Sequence, residues 1–257
     1  MGAFLRIQFS LLFPFLLAGA TGFFQPTLLQ GQESEVWRWK PKREFLLLGV
    51  GTLGTGTGLW MEARTPGLTL NDLASLQPTK VPAWDRWSLD QYSLPAKERS
   101  DWLLYSGAIL PGALLLLDPA IRKAPQKPVL IMAQALSLNT SLVLLTKHLT
   151  LRNRPFTYNP AVPLADKLEK DARVSFFSGH SSTMAALSFG YAGIWSSYHP
   201  DSRWKPVVWA GAAVLPAAMG LLRMQAGKHF LSDVLVGYVV GASCGYLLPK
   251  WHRIKRT

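Results

Sequence analysis

Long apolar runs alternate with short polar segments along most of the chain. With its polar flanks, each run approaches the roughly 17–25 residues that cross a bilayer as a helix. Tryptophan and tyrosine recur near the run ends, where an interfacial aromatic belt would place them. The pattern therefore predicts an all-α integral membrane bundle of about six transmembrane helices, over residues 45–61, 102–117, 129–146, 183–197, 207–222 and 230–248.

A further apolar run, residues 9–24, precedes these six. With one early basic residue, Arg6, and small residues at 18–20, residues 1–24 are typical of a signal peptide-like segment. The basic residues at 38–43 favour a cytoplasmic position instead, which a retained N-terminal membrane segment would satisfy. Both readings stay open, and we expect residues 25–257 to form a single domain.

The glycines of residues 49–54 formally match a G-x-G-x-x-G dinucleotide fingerprint. No strand–turn–helix context and no following acidic partner accompany them, and the run is apolar throughout. We interpret these small residues as sites of close packing between membrane helices.

The net charge of +12 raises the question of nucleic acid binding. The basic residues are scattered at the ends of the apolar runs and form no stripe with exposed aromatics, so we exclude that class. Their density is roughly twofold higher on one side of the predicted spans, which places the basic tail 250–257 inside. A basic outer rim would also attract anionic lipid head groups.

Near the C-terminal end, Arg223, His229 and Asp233 follow one another in an otherwise apolar region. If this segment is helical, His229 and Asp233 share one face, and the carboxylate orients the imidazole. Arg223 supplies a permanent, forked positive charge that matches phosphate. These three residues indicate phosphoryl transfer, although an isolated His/Asp pair is more often structural.

Two clusters upstream strengthen this interpretation. Ser178, Gly179 and His180 directly precede an apolar run, where free N–H groups and the helix dipole favour an anion. Lys147 and Arg154 add two cations, and Pro155 ends any helix there. The orientation of the spans brings all three clusters to the same, outer face.

Together the three clusters resemble the type 2 phosphatidic acid phosphatase family, which shares its site with vanadium haloperoxidases. The family pattern is K-x6-RP, then PSGH, then SR-x5-H-x3-D. This chain matches it over about residues 100–250, at Lys147, Arg154, Pro155, Ser178, Gly179, His180, Arg223, His229 and Asp233. Phe177 replaces the usual proline and Leu222 the usual serine.

The resemblance implies a role for each matched residue. His229, oriented by Asp233, would attack phosphorus and form a phosphohistidine. His180 would protonate the leaving alcohol and then activate water. Lys147, Arg154, Arg223 and the N–H groups near Ser178 and Gly179 would bind the phosphate oxygens. No metal and no cofactor are expected, because the cations supply the charge.

We therefore expect a metal-independent lipid phosphate or pyrophosphate phosphatase in the inner (cytoplasmic) membrane of a bacterium, with its site facing the periplasm. Its partners would be a lipid phosphate substrate and membrane lipids. Phosphatidate, phosphatidylglycerophosphate, undecaprenyl pyrophosphate and lipid A phosphate all fit. The alternatives are a vanadium-dependent haloperoxidase-like enzyme and a non-catalytic lipid-binding relative.

Overall fold

The computed structural model describes residues 36–254, which are mainly helical. Apart from one bridge pair between Trp37 and Arg253, this part of the chain contains no β-structure. Six long helices make up the bundle: α1 Pro41–Arg64, α2 Leu94–Leu117, α3 Gln126–Thr150, α4 Gly179–Tyr198, α5 Lys205–Gln225 and α6 Leu231–His252.

Five of the six predicted apolar runs lie within one of these helices, and the run 230–248 begins at the N-cap residue of α6, one residue before the helix. The largest difference is at α2, which begins eight residues before the predicted run starts at residue 102. Ser93 caps this helix by accepting a hydrogen bond from the Ala96 N–H, and Pro95 fits the first turn because its missing N–H is not needed there. The connection between α1 and α2 contains a 3₁₀-helix, Ala83–Asp90.

Four segments are long and apolar enough to cross a membrane: Leu94–Leu117, Gln126–Tyr158, Lys205–Gln225 and Leu231–His252. Helix α4 is not among them, although it is the central helix and packs against α2, α3, α5 and α6. A helix surrounded by other helices does not need an apolar surface on every side, and α4 carries buried serines at 181, 182 and 188. The protein is therefore an integral membrane helical bundle, and the number of six spans stays a prediction.

Helices α4 and α6 approach each other closely along a row of glycines on α6. A Cβ atom at Gly237 would lie 2.6 Å from the Ser178 carbonyl oxygen, and one at Gly245 would lie 2.5 Å from that of Ala186. At Gly241 the Cβ would lie 1.9 Å from the Ser182 carbonyl oxygen. Only glycine permits this backbone contact, which holds the N-terminus of α4 against the start of α6.

The glycine-rich run of α1 packs in the same way against α3. A Cβ at Gly51 would lie 2.3 Å from the Ser137 hydroxyl, and one at Gly54 would lie 1.9 Å from that of Ser141. The interpretation of these glycines as packing sites is thus confirmed. Gly49 and Gly56 have open space beside them, so only part of the run makes the contact.

The two long connections, 65–93 and 151–178, fold together over one end of the bundle. Leu68 of the first packs against Phe156, Val162 and Ala172 of the second in a small apolar core. Val81 and Leu89 pack against Phe230, directly before α6. Segments that the sequence presents as loops therefore form a layer over the helix ends.

At the opposite end of the bundle, the segment before α1 and the first turn of α1 contact the ends of α4 and α6. The Trp37 side chain is buried and its indole N–H donates to the Tyr198 hydroxyl at 3.1 Å. Glu44 is also buried and lies 2.7 Å from the ring Nε2 of His252. The predicted N-terminal segment, residues 1–24, lies outside the described residues.

We expect Gly241→Ala to destabilise the protein by about 1–3 kcal/mol, because the new methyl group meets backbone that has to shift. Gly211→Ala is the matched control, since a Cβ there meets nothing within 4 Å. That change should be neutral or stabilising by up to about 1 kcal/mol, as alanine favours a helix. Thermal unfolding in detergent measures both, and equal melting temperatures would contradict the packing argument.

Candidate functional site

A cavity of about 370 Å³ opens at the end of the bundle covered by the two connections. Its wall combines cationic, histidine and carboxylate side chains with apolar ones from α2 and α3. Most of the residues singled out from the sequence are among those that line it: Lys147, Arg154, Gly179, His180, Arg223 and His229. Residues from four separate segments of the chain therefore converge here.

His229 lies deep in this site and is 1% exposed. Its ring Nε2 is 3.4 Å from a terminal nitrogen of Arg154. Because an arginine side chain can only donate hydrogen bonds, Nε2 is the acceptor in this contact. Nε2 therefore carries the lone pair and Nδ1 the proton. In this tautomer the lone pair of Nε2 points toward Arg154.

Asp233 is placed differently from the predicted i, i+4 helical pair. His229 precedes the helix, Phe230 is the N-cap and Asp233 is the third residue of α6. The turn is possible because Gly227 has a φ of +66°, and a Cβ there would also collide with the Gln91 carbonyl oxygen. His229 Nδ1 lies 3.6 Å from Asp233 Oδ2, so the carboxylate faces the ring without a hydrogen bond of normal length.

His180 occupies the first turn of α4 and is paired with a carboxylate that the sequence analysis did not identify. Its Nε2 lies 2.9 Å from Asp101 Oδ1 on α2. The same oxygen is 3.5 Å from Arg223, whose guanidinium also donates to the Ser100 hydroxyl at 3.2 Å. Asp101 therefore links the second histidine to the arginine of the third motif.

Ser178 is the N-cap of α4, as its residue type predicts. Its hydroxyl accepts a hydrogen bond from the Ser181 N–H, and its own N–H donates to the Asp233 carbonyl oxygen at 3.0 Å. These bonds assign Ser178 to holding the helix start rather than to the cavity wall. Gly179 lines the cavity, and the expectation of an anion-binding N–H rests on that residue.

Lys147 and Arg223 are buried cations. Lys147, in the last turn of α3, donates to the Val174 carbonyl oxygen at 2.5 Å. Arg223 lies in the last turn of α5, and its Nε is buried without a hydrogen-bond partner among the described residues. A buried guanidinium N–H without a partner is costly, so an oxyanion in the cavity would satisfy it.

Arg154 and Lys228 share a counter-ion, Asp171. One Asp171 oxygen is 2.7 Å from Arg154, and the other is 3.5 Å from the Lys228 ammonium group. Burial raises the pKa of Asp171, but Arg154 and Lys228 outweigh it and hold the value below the ordinary one. Asp171 therefore stays ionised and fixes both cations at the cavity wall.

The electrostatics of the site also determine the charge of two groups near the start of α6. Burial, and then Arg154 and Lys147, hold the pKa of His229 well below its ordinary value, so the ring is neutral at pH 7. Burial and Arg154 lower the pKa of Lys228 to about 8. A neutral imidazole beside cationic side chains suits attack on an anionic phosphorus centre.

Sequence reasoning missed several polar residues that contact the predicted ones. Arg152 and Lys228 lie within the motif segments, so the sequence shows that they are charged. It does not show which residues they contact. Asp101 and Asp171 lie outside the matched motif residues, and no local spacing relates them to a motif. Phe177 and Leu222, the two departures from the family pattern, are not among the residues that line the cavity.

The family model of the PAP2 superfamily matches residues 128–256. A crystal structure of a transmembrane PAP2 type phosphatidylglycerolphosphate phosphatase from Bacillus subtilis is similar, at 22% identity and a TM-score of 0.49. The match covers 83% of this chain and 96% of that one. No curated protein matches the chain.

We expect the cavity to bind a tetrahedral oxyanion, and to bind it more weakly as the pH rises through about 8. Lys228 is charged below its pKa and neutral above it, so its attraction is lost in that window. Sulfate is a suitable probe because its own charge is constant there, and calorimetry between about pH 7 and 9 gives the affinity.

Lys228→Arg should reduce this loss near pH 8, because a guanidinium stays charged throughout the range. Arg203→Gln is the control, since Arg203 is exposed in the connection at the opposite end of the bundle. An affinity for sulfate that stays constant over the whole range in the unmodified protein would contradict the assignment of Lys228 to the site.

Proposed function

The chain belongs to the PAP2 superfamily, and from this membership and the chemistry of the cavity we propose that it hydrolyses a lipid-linked phosphate or pyrophosphate. The single observation that carries the proposal is the position of His229. This histidine is buried and neutral, and its Nε2 faces Arg154 at 3.4 Å in a cavity that other cations also line.

The proposed substrate phosphate lies among Lys147, Arg154 and Arg223, with the Gly179 N–H at the positive end of α4. Forked arginine donors match the geometry of phosphate oxygens, and buried donors act in a low local dielectric. They stabilise the charge that spreads over the equatorial oxygens in the transition state. Because these side chains supply the positive charge, the mechanism needs no metal ion.

In the first step, the Nε2 lone pair of His229 attacks phosphorus and the bond to the leaving oxygen breaks. His180 enters this step as the imidazolium, paired with Asp101, and gives a proton to that oxygen, so that His180 becomes neutral and a phosphohistidine forms on His229. Positive charge develops on the imidazole ring, and Asp233, beside Nδ1, stabilises it. In the second step, His180 takes a proton from water, the hydroxide attacks phosphorus, and the P–N bond breaks.

A lipid substrate is consistent with the residues that line the cavity. Its wall includes Leu94, Leu104 and Tyr105 of α2 and Leu144 of α3 in addition to the charged residues. Helices α2 and α3 are both apolar enough to cross a membrane. An acyl or prenyl chain would therefore remain between apolar surfaces while the phosphate reaches His229.

We expect phosphate release from at least one member of a panel of phosphatidate, phosphatidylglycerophosphate, undecaprenyl pyrophosphate and lipid A phosphate. His229→Ala should lower kcat by at least about 10⁴-fold, because it removes the nucleophile. His252→Ala serves as the control for loss of a buried histidine far from the cavity. The assay is run in detergent with and without a chelator.

Activity that survives His229→Ala would contradict the phosphohistidine mechanism, and activity lost to the chelator would contradict metal independence. Trapping of radiolabelled phosphate on the protein by an alkaline quench should succeed only when His229 is present. Bromide oxidation that appears only with added vanadate would favour the haloperoxidase alternative.

We also propose that the cavity faces the periplasm and the end with Trp37 faces the cytoplasm, in agreement with the distribution of basic residues. The test uses a Cys244→Ser background, which removes the only natural cysteine. Ala165→Cys places a thiol at an exposed position of the 151–178 connection, and Asp201→Cys places one in the connection at the opposite end.

In intact bacteria, a membrane-impermeant maleimide should label Ala165→Cys at once and Asp201→Cys only after lysis. The comparison is internal, because both positions are exposed and differ only in the side of the membrane. Labelling in the reverse order would overturn the proposed orientation without affecting the phosphatase proposal.

A further inference from the structure

The carboxylate beside His229 belongs to a longer row of buried charges. Asp233 is 0% exposed, and its Oδ1 lies 2.5 Å from a terminal nitrogen of Arg152. Its Oδ2 accepts hydrogen bonds from the Ser175 hydroxyl at 2.5 Å and from the Phe230 N–H at 3.0 Å. Three donors therefore fix Asp233 in the orientation that faces the His229 ring.

Arg152 connects Asp233 to a second buried carboxylate, Asp85. The other terminal nitrogen of Arg152 is 2.8 Å from Asp85 Oδ2, and Asp85 is 1% exposed. Asp85 also accepts hydrogen bonds from the Ser232 N–H at 2.9 Å and from its hydroxyl at 2.7 Å. The Arg152 guanidinium lies 4.1 Å over the Phe230 ring, which keeps its plane fixed.

We propose that Asp85 and Arg152 are positioning residues for the nucleophile: they hold Asp233 against Nδ1 of His229 and set the net charge beside the ring. This inference rests on the proposed function, since it concerns how His229 is activated. Asp85 belongs to the 3₁₀-helix at residues 83–90, which lies outside all three motifs and outside the residues that the family model matches.

The charge balance explains why two carboxylates are needed. Arg152 fixes the geometry of Asp233 but also neutralises it, which would remove its benefit to a ring that becomes positive. Asp85 gives the cluster of Asp233, Arg152 and Asp85 one net negative charge, in surroundings where water does not screen that charge. The group as a whole therefore favours the charged ring of the phosphohistidine step over the neutral ring of the resting state.

The forked geometry explains why an arginine occupies position 152. Its two terminal nitrogens reach different carboxylates at the same time, and a lysine has a single nitrogen with which to do so. Arg152→Lys keeps the charge and loses one of the two contacts. The variant thus separates the requirement for geometry from the requirement for charge.

The test compares Asp85→Asn with Asp90→Asn, an exposed aspartate of the same 3₁₀-helix. We expect Asp85→Asn to lower kcat and the rate of phosphohistidine formation about 10- to 100-fold, with KM nearly unchanged, as for other residues that orient a reactive group. Asp90→Asn should behave like the unmodified protein. Rapid mixing with radiolabelled substrate and an alkaline quench gives both rates.

A double-mutant cycle with Asp233→Asn distinguishes positioning from a general structural role. If Asp85 acts through Asp233, Asp85→Asn causes little further loss once Asp233 is replaced. If Asp85 only stabilises the fold, the two losses multiply, which would overturn the proposal. Equal kcat for Asp85→Asn and Asp90→Asn would overturn it as well.

If thermal unfolding shows that Asp85→Asn does not fold, Arg152→Lys and Ser175→Ala replace it in the double-mutant cycle with Asp233→Asn. Each should lose activity alone and show little further loss in the Asp233→Asn background, and independent losses would overturn the proposal. Failure of the proposed function is seen separately: the unmodified protein would then release no phosphate, or His229→Ala would remain active.

Discussion

Four largely buried cations line one cavity, and the rest of the structure is arranged to keep them there. Lys147, Arg154, Arg223 and Lys228 repel one another, and burial deprives each of water. The protein offsets this cost with carboxylates in the same cavity wall: Asp171 contacts two of the cations, and Asp101 contacts Arg223. The buried Nε of Arg223 keeps a donor without a partner among the described residues, and an anionic substrate would satisfy it.

Helix packing makes this arrangement possible. The close contact of α4 with α6 places the start of α4, with Ser178 and His180, beside the start of α6, with Asp233. The glycines of α6 thus determine how near the two histidine-bearing segments lie. The connections between helices are equally part of the site, since they supply Asp85, Arg152, Asp171 and Ser175. Their apolar contacts with each other fix them as a layer instead of leaving them as solvated loops.

The motif residues and the residues that support them differ in how they could be found. Lys147, His180, Arg223 and His229 stand at spacings that are visible in the chain, and the structure brings them to one cavity. Asp101, on α2, is separated from its partner His180 by 79 positions, and Asp85 is 67 positions from Arg152. Contacts at such separations leave no periodic signal. The spacing of His229 and Asp233 was misleading, because these residues flank a helix start and do not share a helix face.

The sequence by itself determined the membrane-helix character, the positions of the six long helices and the three clusters that carry the chemistry. Those properties are local, since an apolar run of given length, a cap or a cation beside a helix end is encoded by neighbouring residues. Only the tertiary structure decided which carboxylate neutralises which cation, which tautomer His229 adopts, and that Ser178 holds a helix start while Gly179 faces the cavity. These properties depend on distances between elements that are remote in the chain, and burial makes the energy of each charge depend on its particular neighbours.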